Sequence, residues 1–175
     1  MFWKRLKPSM TDGIIDLIPL SLYPPDEAMG FGDNYDYMIV PHGTRREAGR
    51  INLRLGESEC VYYFGHIGYH VDLGFQGDHF ARRACELLRD VIIGAGKSSV
   101  VITTDPDNWP SRRTCEGLGC VMENIVHVPE EIQQRWEISA VKCRYIWRMD
   151  SEKRPIPSQS FKWLEEYHGS DSFRG

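Results

Sequence analysis

In the middle of the chain, the pattern of apolar and polar residues changes from the period of a strand to that of a helix. Residues 67–71 alternate between the two types, which predicts a β-strand. From residue 80 onwards apolar residues recur every three or four positions, which predicts an amphipathic helix. The apolar positions of that helix are Phe80, Ala84, Leu87, Leu88 and Val91. The pattern therefore predicts a strand, a glycine-bearing turn at residues 73–78 and a helix N-terminus, in that order.

The segments before this unit are typical of strands in an antiparallel sheet. Three strands are predicted, at residues 13–20, 37–40 and 47–55. Residues 23–34 are rich in turn-forming residues and are predicted to form a loop. The segment 57–60 is predicted to turn the chain towards the strand at residues 67–71.

The segments after this unit predict one more helix and three more strands. The strands are expected at residues 99–103, 121–128 and 141–149. The first of these is apolar at its centre and is expected to be buried beside residues 67–71. The helix is expected to begin after Asp107 or Asn108, either of which can cap it, and to end at Leu118 and Gly119.

Together these elements predict one α/β domain, of the α+β kind, over residues 1–150. An antiparallel meander leads into a strand–helix–strand crossover, which implies a mixed sheet with helices packed on it. A C-terminal tail, residues 151–175, is expected to contain a short helix at residues 161–167 and to have a mobile end.

Composition and charge narrow the classes of function. A length of 175 residues fits one domain, and a net charge of −4 gives no basic field for nucleic acid. No apolar run approaches the roughly 18 residues of a membrane span, and residues 1–5 do not lead into the apolar segment of a signal peptide. The five cysteines are odd in number and lack a Cys-x-x-Cys spacing. They indicate reduced thiols in a cytoplasmic protein rather than disulfides or a metal site.

A strand, a turn and a helix N-terminus in succession are typical of a phosphate-binding site. The N–H groups of the first helical turn have no partner within the helix, and the helix dipole is positive there. Residues 68–85, GYHVDLGFQGDHFARRAC, resemble the acetyl-CoA-binding motif of the GNAT superfamily of N-acetyltransferases. That motif reads Gln/Arg-x-x-Gly-x-Gly/Ala and begins five residues after a strand valine, as Val71, Gln76 and Ala81 do here. His79 stands where the motif has its central glycine.

A second segment resembles the same family. Residues 108–120, NWPSRRTCEGLGC, are similar to the later GNAT segment Asn-x-x-Ser-x-x-x-x-Glu-x-Leu-Gly-Phe. The resemblance covers roughly residues 36–149 and is closest to the RimJ/RimL-like branch. It implies a mixed, mostly antiparallel sheet with a splayed central strand pair and helices on both faces. It also implies transfer of an acetyl group from acetyl-CoA to a primary amine, either a protein N-terminus or a small amine, with a homodimer as one expected assembly.

The resemblance also assigns the residues that bind acetyl-CoA. In the family, backbone N–H groups of the splayed strand bond the pantetheine and the thioester carbonyl, and those of the helix N-terminus bond the pyrophosphate. The residues at these positions are Tyr69, Val71, Gln76, Gly77, Asp78, His79, Phe80, Ala81, Arg82, Asn108 and Arg112. For each of these residues a purely structural interpretation is the alternative. Tyr69 and Val71 could be core residues, and Asn108 could be a plain helix cap. The arginines at the two helix starts, which include Arg83 and Arg113, could each reach the phosphates of the cofactor. The alternative is that they lie on a solvated helix face.

Two side chains are candidates for catalysis. Ser111 matches the serine of the second motif and is expected to contact the leaving thiolate, with a hydroxyl that satisfies the helix N-terminus as its alternative. His66 is chemically able to deprotonate the amine, because imidazole titrates near neutral pH, although a structural or surface histidine is the favoured interpretation. Cys115 stands where many family members have a tyrosine, and we expect it to be a small buried hydrophobe.

A second class of function competes with this enzyme. A GNAT-fold module can bind CoA, or regulate without it, and catalyse nothing. Three departures from the family pattern support this alternative: His79, Cys115 and Gly65, which stands where some relatives have a glutamate. Turnover with an amine distinguishes the two.

We expect millimolar CoA to raise the melting temperature of the protein, because a ligand that binds only the native state stabilises it. The gain is about 2.7 kcal/mol at a hundredfold excess over the dissociation constant. Differential scanning fluorimetry measures the shift, with inorganic phosphate at equal ionic strength as the control. An unchanged melting temperature would remove the acetyl-CoA-dependent interpretation.

Overall fold

The computed structural model describes residues 9–28 and 30–157, which form one eight-stranded sheet with four α-helices. The strands are β1 Met10–Thr11, β2 Ile15–Tyr23, β3 Asn34–Pro41, β4 Gly49–Arg54, β5 Ile67–Val71, β6 Ser99–Thr104, β7 Val121–His127 and β8 Val141–Arg148. The helices are α1 Glu59–Phe64, α2 Phe80–Gly94, α3 Trp109–Leu118 and α4 Glu130–Trp136. The helix predicted at residues 161–167 lies outside the described residues.

The sheet has the spatial order β1-β2-β3-β4-β5-β6-β8-β7. All neighbouring strands are antiparallel except β5 and β6, which are parallel and share the single register pair Ile67 and Ile102. Beyond that pair the two strands diverge, while β5 stays paired with β4 along its whole length. The mixed, mostly antiparallel sheet with a splayed central pair is therefore confirmed.

Helices cover both faces of the sheet. Helices α2 and α3 pack on one face, where residues of both join the core around Ile51, Ile67 and Ile102. Helix α1 lies on the opposite face, since the hydroxyl of Thr103 donates to the carbonyl of Tyr63 at 2.9 Å. Helix α4 lies beside α1, with the rings of Phe64 and Trp136 6.3 Å apart.

Most of the predicted elements are present, and the short strand β1 and two helices are additional. Helix α1 replaces the simple turn predicted after residue 57, because Ser58 caps it by accepting the N–H of Val61 at 3.1 Å. Helix α4 lies in the connection between the last two strands, with two glutamates in its first turn that favour the positive end of its dipole. Helix α3 begins after Asn108 and ends at Gly119, as the sequence predicts.

The segment after β8 runs along α2 and is fixed there by two arginines, Arg82 and Arg89. Arg89 donates to the carbonyls of Met149 and Ser151 at 3.0 and 3.1 Å, and its guanidinium lies 4.8 Å from the ring centre of Trp147. Arg89 also forms an ion pair with Glu86 at 3.0 Å. Among the described residues, no helix is both long enough and apolar enough to cross a bilayer, and no three His, Cys, Asp or Glu side chains are grouped to hold a metal ion.

Replacing Arg89 with Met is expected to lower the free energy of unfolding by about 3 kcal/mol. The substitution leaves the half-buried carboxylate of Glu86 and the carbonyls of Met149 and Ser151 without their hydrogen-bond donor. That loss corresponds to a fall in melting temperature of about 6–12 °C. Thermal and urea unfolding measure it. The matched control is Arg148→Met, whose ion pair with Asp150 is 68% exposed and should change stability by less than about 0.5 kcal/mol. Equal effects of the two substitutions would contradict the anchoring role of Arg89.

Candidate active site

A cleft of about 610 Å³ lies where β5 ends and where α2 and α3 begin. Most of the residues predicted to bind acetyl-CoA or to act in catalysis line it. These are Tyr69, Val71, Gln76, Gly77, His79, Phe80, Ala81, Arg82, Asn108 and Ser111. Three predicted residues do not line it: His66, Asp78 and Arg112.

Strand β5 turns two of its N–H groups towards the gap between the diverging strands. Just before β5, the carbonyl of His66 accepts the N–H of Arg54 in β4 at 2.7 Å, and just after it the N–H of Asp72 donates to Ala48 at 2.8 Å. In an antiparallel pair these directions alternate, so the even-numbered residues of β5 bond to β4. The N–H groups of Tyr69 and Val71 therefore face the β6 side, where the strands have separated. This arrangement fits a thioester and an extended pantetheine.

The start of α2 supplies the phosphate end of the cleft. Phe80, the first helical residue, is buried and stacks on Phe75 at 5.8 Å, so the helix start is fixed by the core. His79 precedes it in the left-handed conformation, with φ 58°. That conformation explains the glycine of the family motif, because glycine adopts it without steric cost. The first-turn N–H groups and the dipole of this 15-residue helix fit a pyrophosphate.

The arginines near the cleft are placed differently from the prediction. Arg82 lines the cleft, but its guanidinium donates to the carbonyls of Arg154 and Pro155 at 2.8 and 3.1 Å. Arg112 lies outside the cleft, where it bonds the hydroxyl of Tyr145 and the carbonyl of Pro106. Arg113, the next residue of α3, lines the cleft instead. Since one position on a helix turns a side chain by about 100°, sequence spacing alone did not separate Arg112 from Arg113.

The hydroxyl of Tyr69 is the group that sequence reasoning missed. Its side chain reaches the start of α3, where the hydroxyl lies 2.9 Å from Oγ of Ser111. Burial raises the pKa of Tyr69 well above its ordinary value, with Cys115 and Cys85 as further causes. The family tyrosine is absent at Cys115, and the alternation of β5 places Tyr69 on the α3 face. Those two signals together could have found it.

The remaining predicted residues have structural contacts. Asn108 caps α3 by accepting the N–H of Ser111 at 3.2 Å, while it also lines the cleft. Cys115 is completely buried, as expected. Asp78 is buried and lies outside the cleft lining.

His66 is held away from the cleft by both of its ring nitrogens. Nδ1 accepts the N–H of Val101 at 2.9 Å, and Nε2 lies 3.0 Å from a carboxylate oxygen of Glu57. Burial lowers the pKa of His66, which keeps the imidazole neutral. These contacts agree with the structural interpretation and leave no free nitrogen for an amine. The neighbouring Gly65 has φ 75°, and a Cβ there would lie 2.9 Å from the carbonyl oxygen of Val101, so the glutamate of some relatives does not fit.

Residues 13–121, more than half of the chain, match the model of the acetyltransferase (GNAT) domain. The chain belongs to the GNAT acetyltransferase family. The family predicted from the two sequence motifs is thereby confirmed. No curated protein sequence matches the chain significantly.

Solved structures share the GNAT fold at low sequence identity. An acetyltransferase from Agrobacterium tumefaciens str. C58 is 16% identical with a TM-score of 0.58, over 85% of this chain and 98% of that one. The ribosomal-protein-S5-alanine acetyltransferase from Vibrio fischeri is 19% identical with a TM-score of 0.52, over 70% and 64%. The microcin C7 self-immunity acetyltransferase MccE, solved with acetyl-CoA and AMP, is 20% identical with a TM-score of 0.51 over 66% of this chain. This GNAT chain spans only 61% of the length of MccE.

We expect His79→Gly to change the affinity for acetyl-CoA by less than tenfold at pH 7.5, and to matter more in acid. Burial, Arg82 and Arg83 lower the pKa of His79, so the free protein holds this imidazole neutral. A bound phosphate favours the imidazolium, so the wild-type protein should gain affinity, relative to the variant, as the pH falls below about 6.5.

Calorimetry with acetyl-CoA at pH 7.5 and 6.0 gives the ratio of the affinities of the wild-type protein and the variant at each pH. The titration of the cofactor affects both proteins equally and therefore cancels in this ratio. A ratio that does not change with pH would mean that the imidazole points away from the phosphates. A large gain in affinity on the substitution would support the catalytically degenerate alternative.

Proposed function

We propose that this GNAT protein transfers the acetyl group of acetyl-CoA directly to a primary amine. The observation that carries the proposal is the gap between β5 and β6, into which Tyr69 and Val71 turn their N–H groups beside the start of α2. Donors fixed in this way stabilise the oxyanion that develops on the thioester carbonyl. Each such donor contributes on the order of 3–4 kcal/mol to catalysis.

Tyr69 and Ser111 act on the sulfur that leaves. Their hydroxyls are 2.9 Å apart, so one donates to the other and a proton remains to be donated into the cleft. The raised pKa of Tyr69 keeps the phenol protonated at every working pH, which makes it a hydrogen-bond donor rather than a strong acid. Its interaction strengthens as negative charge develops on the sulfur, and only such differential interactions raise kcat.

The acceptor is an α-amine, of a protein N-terminus or of a small molecule. The histidine considered as a base, His66, has both ring nitrogens engaged, by the N–H of Val101 and by Glu57. Neutralising an α-amine of pKa about 7.7–8.0 at pH 7 costs roughly 1 kcal/mol, whereas a lysine costs roughly 4–5 kcal/mol. An α-amine therefore needs little help from a base. The Vibrio fischeri relative is described as a ribosomal-protein alanine acetyltransferase, which agrees with this acceptor class.

A CoA-binding module without catalysis is the second candidate function. It is favoured by the left-handed His79 at the phosphate end and by the engagement of Arg82 with the carbonyls of residues 154 and 155. Release of free thiol from acetyl-CoA, measured over N-terminal peptides and small amines, separates the two candidates. Acetyl-CoA binding without thiol release would establish the module.

Location and assembly complete the proposal. The five cysteines are free thiols, which supports a reducing, cytoplasmic location. Strand β7 lies at the edge of the sheet and exposes Val121, Met122 and Ile125, which supports a homodimer formed along that edge.

Tyr69→Phe is expected to lower kcat about tenfold to a hundredfold while acetyl-CoA affinity stays within about threefold, because the lost hydroxyl acts mainly in the transition state. Ser111→Ala should have the same effect, and the double variant should be little worse than either, because the two hydroxyls act as a unit. Asn108→Ala should weaken both kcat and affinity, since it disturbs the start of α3. Steady-state kinetics and calorimetry measure these quantities.

The matched control is Tyr37→Phe, which removes another buried phenol, one whose hydroxyl has no hydrogen-bond partner in the described part of the chain. It should leave kcat unchanged. If Tyr69→Phe and Ser111→Ala leave kcat intact and Cys115→Ala abolishes it, the thiol rather than the phenol serves the leaving group.

A further inference from the structure

Arg54, the last residue of β4, carries a partly buried positive charge with no acidic partner among the described residues. Among the described residues, its guanidinium makes one hydrogen bond, from Nη1 to the carbonyl of Gly65 at 3.0 Å. By contrast, Arg83, Arg89 and Arg144 each pair with a carboxylate, from Asp12, Glu86 and Glu123 respectively. Burial lowers the pKa of Arg54, with no other cause. An unpaired buried charge is costly, so this guanidinium is suited to an anion from outside the chain.

The surroundings of Arg54 form a cradle for a flat ion pair. The rings of Phe31 and Phe64 lie 5.9 and 5.8 Å from the guanidinium carbon. Gly68 of β5 lies beneath it, since a Cβ on that residue would come within 2.9 Å of Nη2. The two rings limit water around the guanidinium, which strengthens its attraction for an anion. The missing side chain of Gly68 lets the guanidinium lie against the strand.

This cradle lies on the face of the sheet opposite the cleft proposed for acetyl-CoA. Tyr69 and Ser111 line that cleft on the α2 and α3 face. Because the cofactor is assigned to that face, we place the acceptor on the opposite one, where the even-numbered residue Gly68 presents its Cα. Consecutive Cα atoms are about 3.8 Å apart, so the guanidinium lies within roughly the length of one amino acid from the N–H of Tyr69.

We propose that Arg54 binds a carboxylate that the acceptor carries close to its amine. This inference rests on the proposed acetyl transfer and names its substrate class. A single guanidinium balances a single negative charge, and its planar fork matches a carboxylate in bidentate fashion. A phosphate dianion would need a second cation, and Arg144, which bonds the carbonyl of Tyr62 in α1, is already paired with Glu123. The carboxylate belongs either to a free α-amino acid or to an acidic side chain next to a peptide N-terminus.

The experiment compares acceptors that differ only in that charge. Alanine and phenylalanine are assayed against their amides, and tripeptides beginning Ala-Asp against the same peptides beginning Ala-Asn. The ratio of kcat/KM between the acid and its neutral partner is measured for the wild-type protein and for Arg54→Met. Differences in amine pKa cancel when the two proteins are compared.

We expect Arg54→Met to lower this ratio at least about tenfold, through a higher KM for the acid and an unchanged kcat, because the contact is made equally in the ground and transition states. The neutral acceptors and the affinity for acetyl-CoA should not change. Gly68→Ala, which displaces the guanidinium, should lower the same ratio. Arg50→Met is the matched control, because Arg50 is an exposed arginine of the same strand that pairs with Glu47, and it should leave the ratio unchanged.

Each outcome decides the inference. If the acid is preferred to its neutral partner only among the amino acids, Arg54 binds the α-carboxylate. If the acid is preferred only among the peptides, Arg54 binds the acidic side chain. Acid and neutral acceptors that react equally in the wild-type protein would overturn the inference and leave acetyl transfer standing. A loss in Arg54→Met that affects both kinds of acceptor equally and lowers the melting temperature would give Arg54 only a structural role at the end of α1. Absence of thiol release with every acceptor would overturn the proposed function itself, and the inference with it.

Discussion

The site depends on one constraint, the separation of β5 from β6 after a single shared register pair. The start of the separation is held by His66, whose N–H donates to the carbonyl of Val101 at 2.7 Å and whose Nδ1 accepts the N–H of the same residue at 2.9 Å. A neutral imidazole thus acts as a strand acceptor where backbone pairing is about to stop. Farther along, the hydroxyls of Tyr69 and Ser111 meet between β5 and α3, on the face of the sheet beside the gap. Polar contacts at both ends therefore define a gap that hydrophobic packing alone would tend to close.

The core fixes the phosphate end relative to this gap. Phe75 and Phe80 stack beneath the turn, so the last residue of β5 and the first residue of α2 are tied to the same cluster. The non-glycine residue in the left-handed conformation between them is His79, which costs on the order of 1 kcal/mol or more relative to glycine. The buried Phe80 and Arg82 on either side of Ala81 offset that cost, because they hold the first turn of α2 whatever the preceding residue prefers. A residue other than glycine is thus tolerated at this position.

Much of this architecture was predictable from local patterns, and the contacts that finish the site were not. Strand and helix periods, the Asn108 cap and the Gly119 stop each depend on residues within a few positions of one another. The bond between Tyr69 and Ser111 joins residues 42 positions apart, and the one between Arg82 and Arg154 joins residues 72 apart. Spacing assigns a side chain to a helix face but does not reveal a distant carbonyl that will capture it. For that reason the motif identified residues that line one cleft, but it did not indicate that Arg82 bonds the carbonyls of residues 154 and 155 or that Arg113 rather than Arg112 lines the cleft.

The alternation of β5 also explains how one short strand can serve three partners. Its odd residues turn N–H groups towards the gap, and one of them, Tyr69, sends its side chain to Ser111 on the α3 face. Its even residue Gly68 presents a bare Cα to the opposite face, where Arg54 and the aromatic rings lie. A shift of one residue against β4 would exchange these roles, because the side-chain period of a strand is two. The buried pairing of Ile67 with Leu53 and of Tyr69 with Ile51 resists that shift, since it would move apolar side chains from the core to the α1 face. The packing that stabilises the sheet is therefore the same packing that assigns each face of β5 its chemistry.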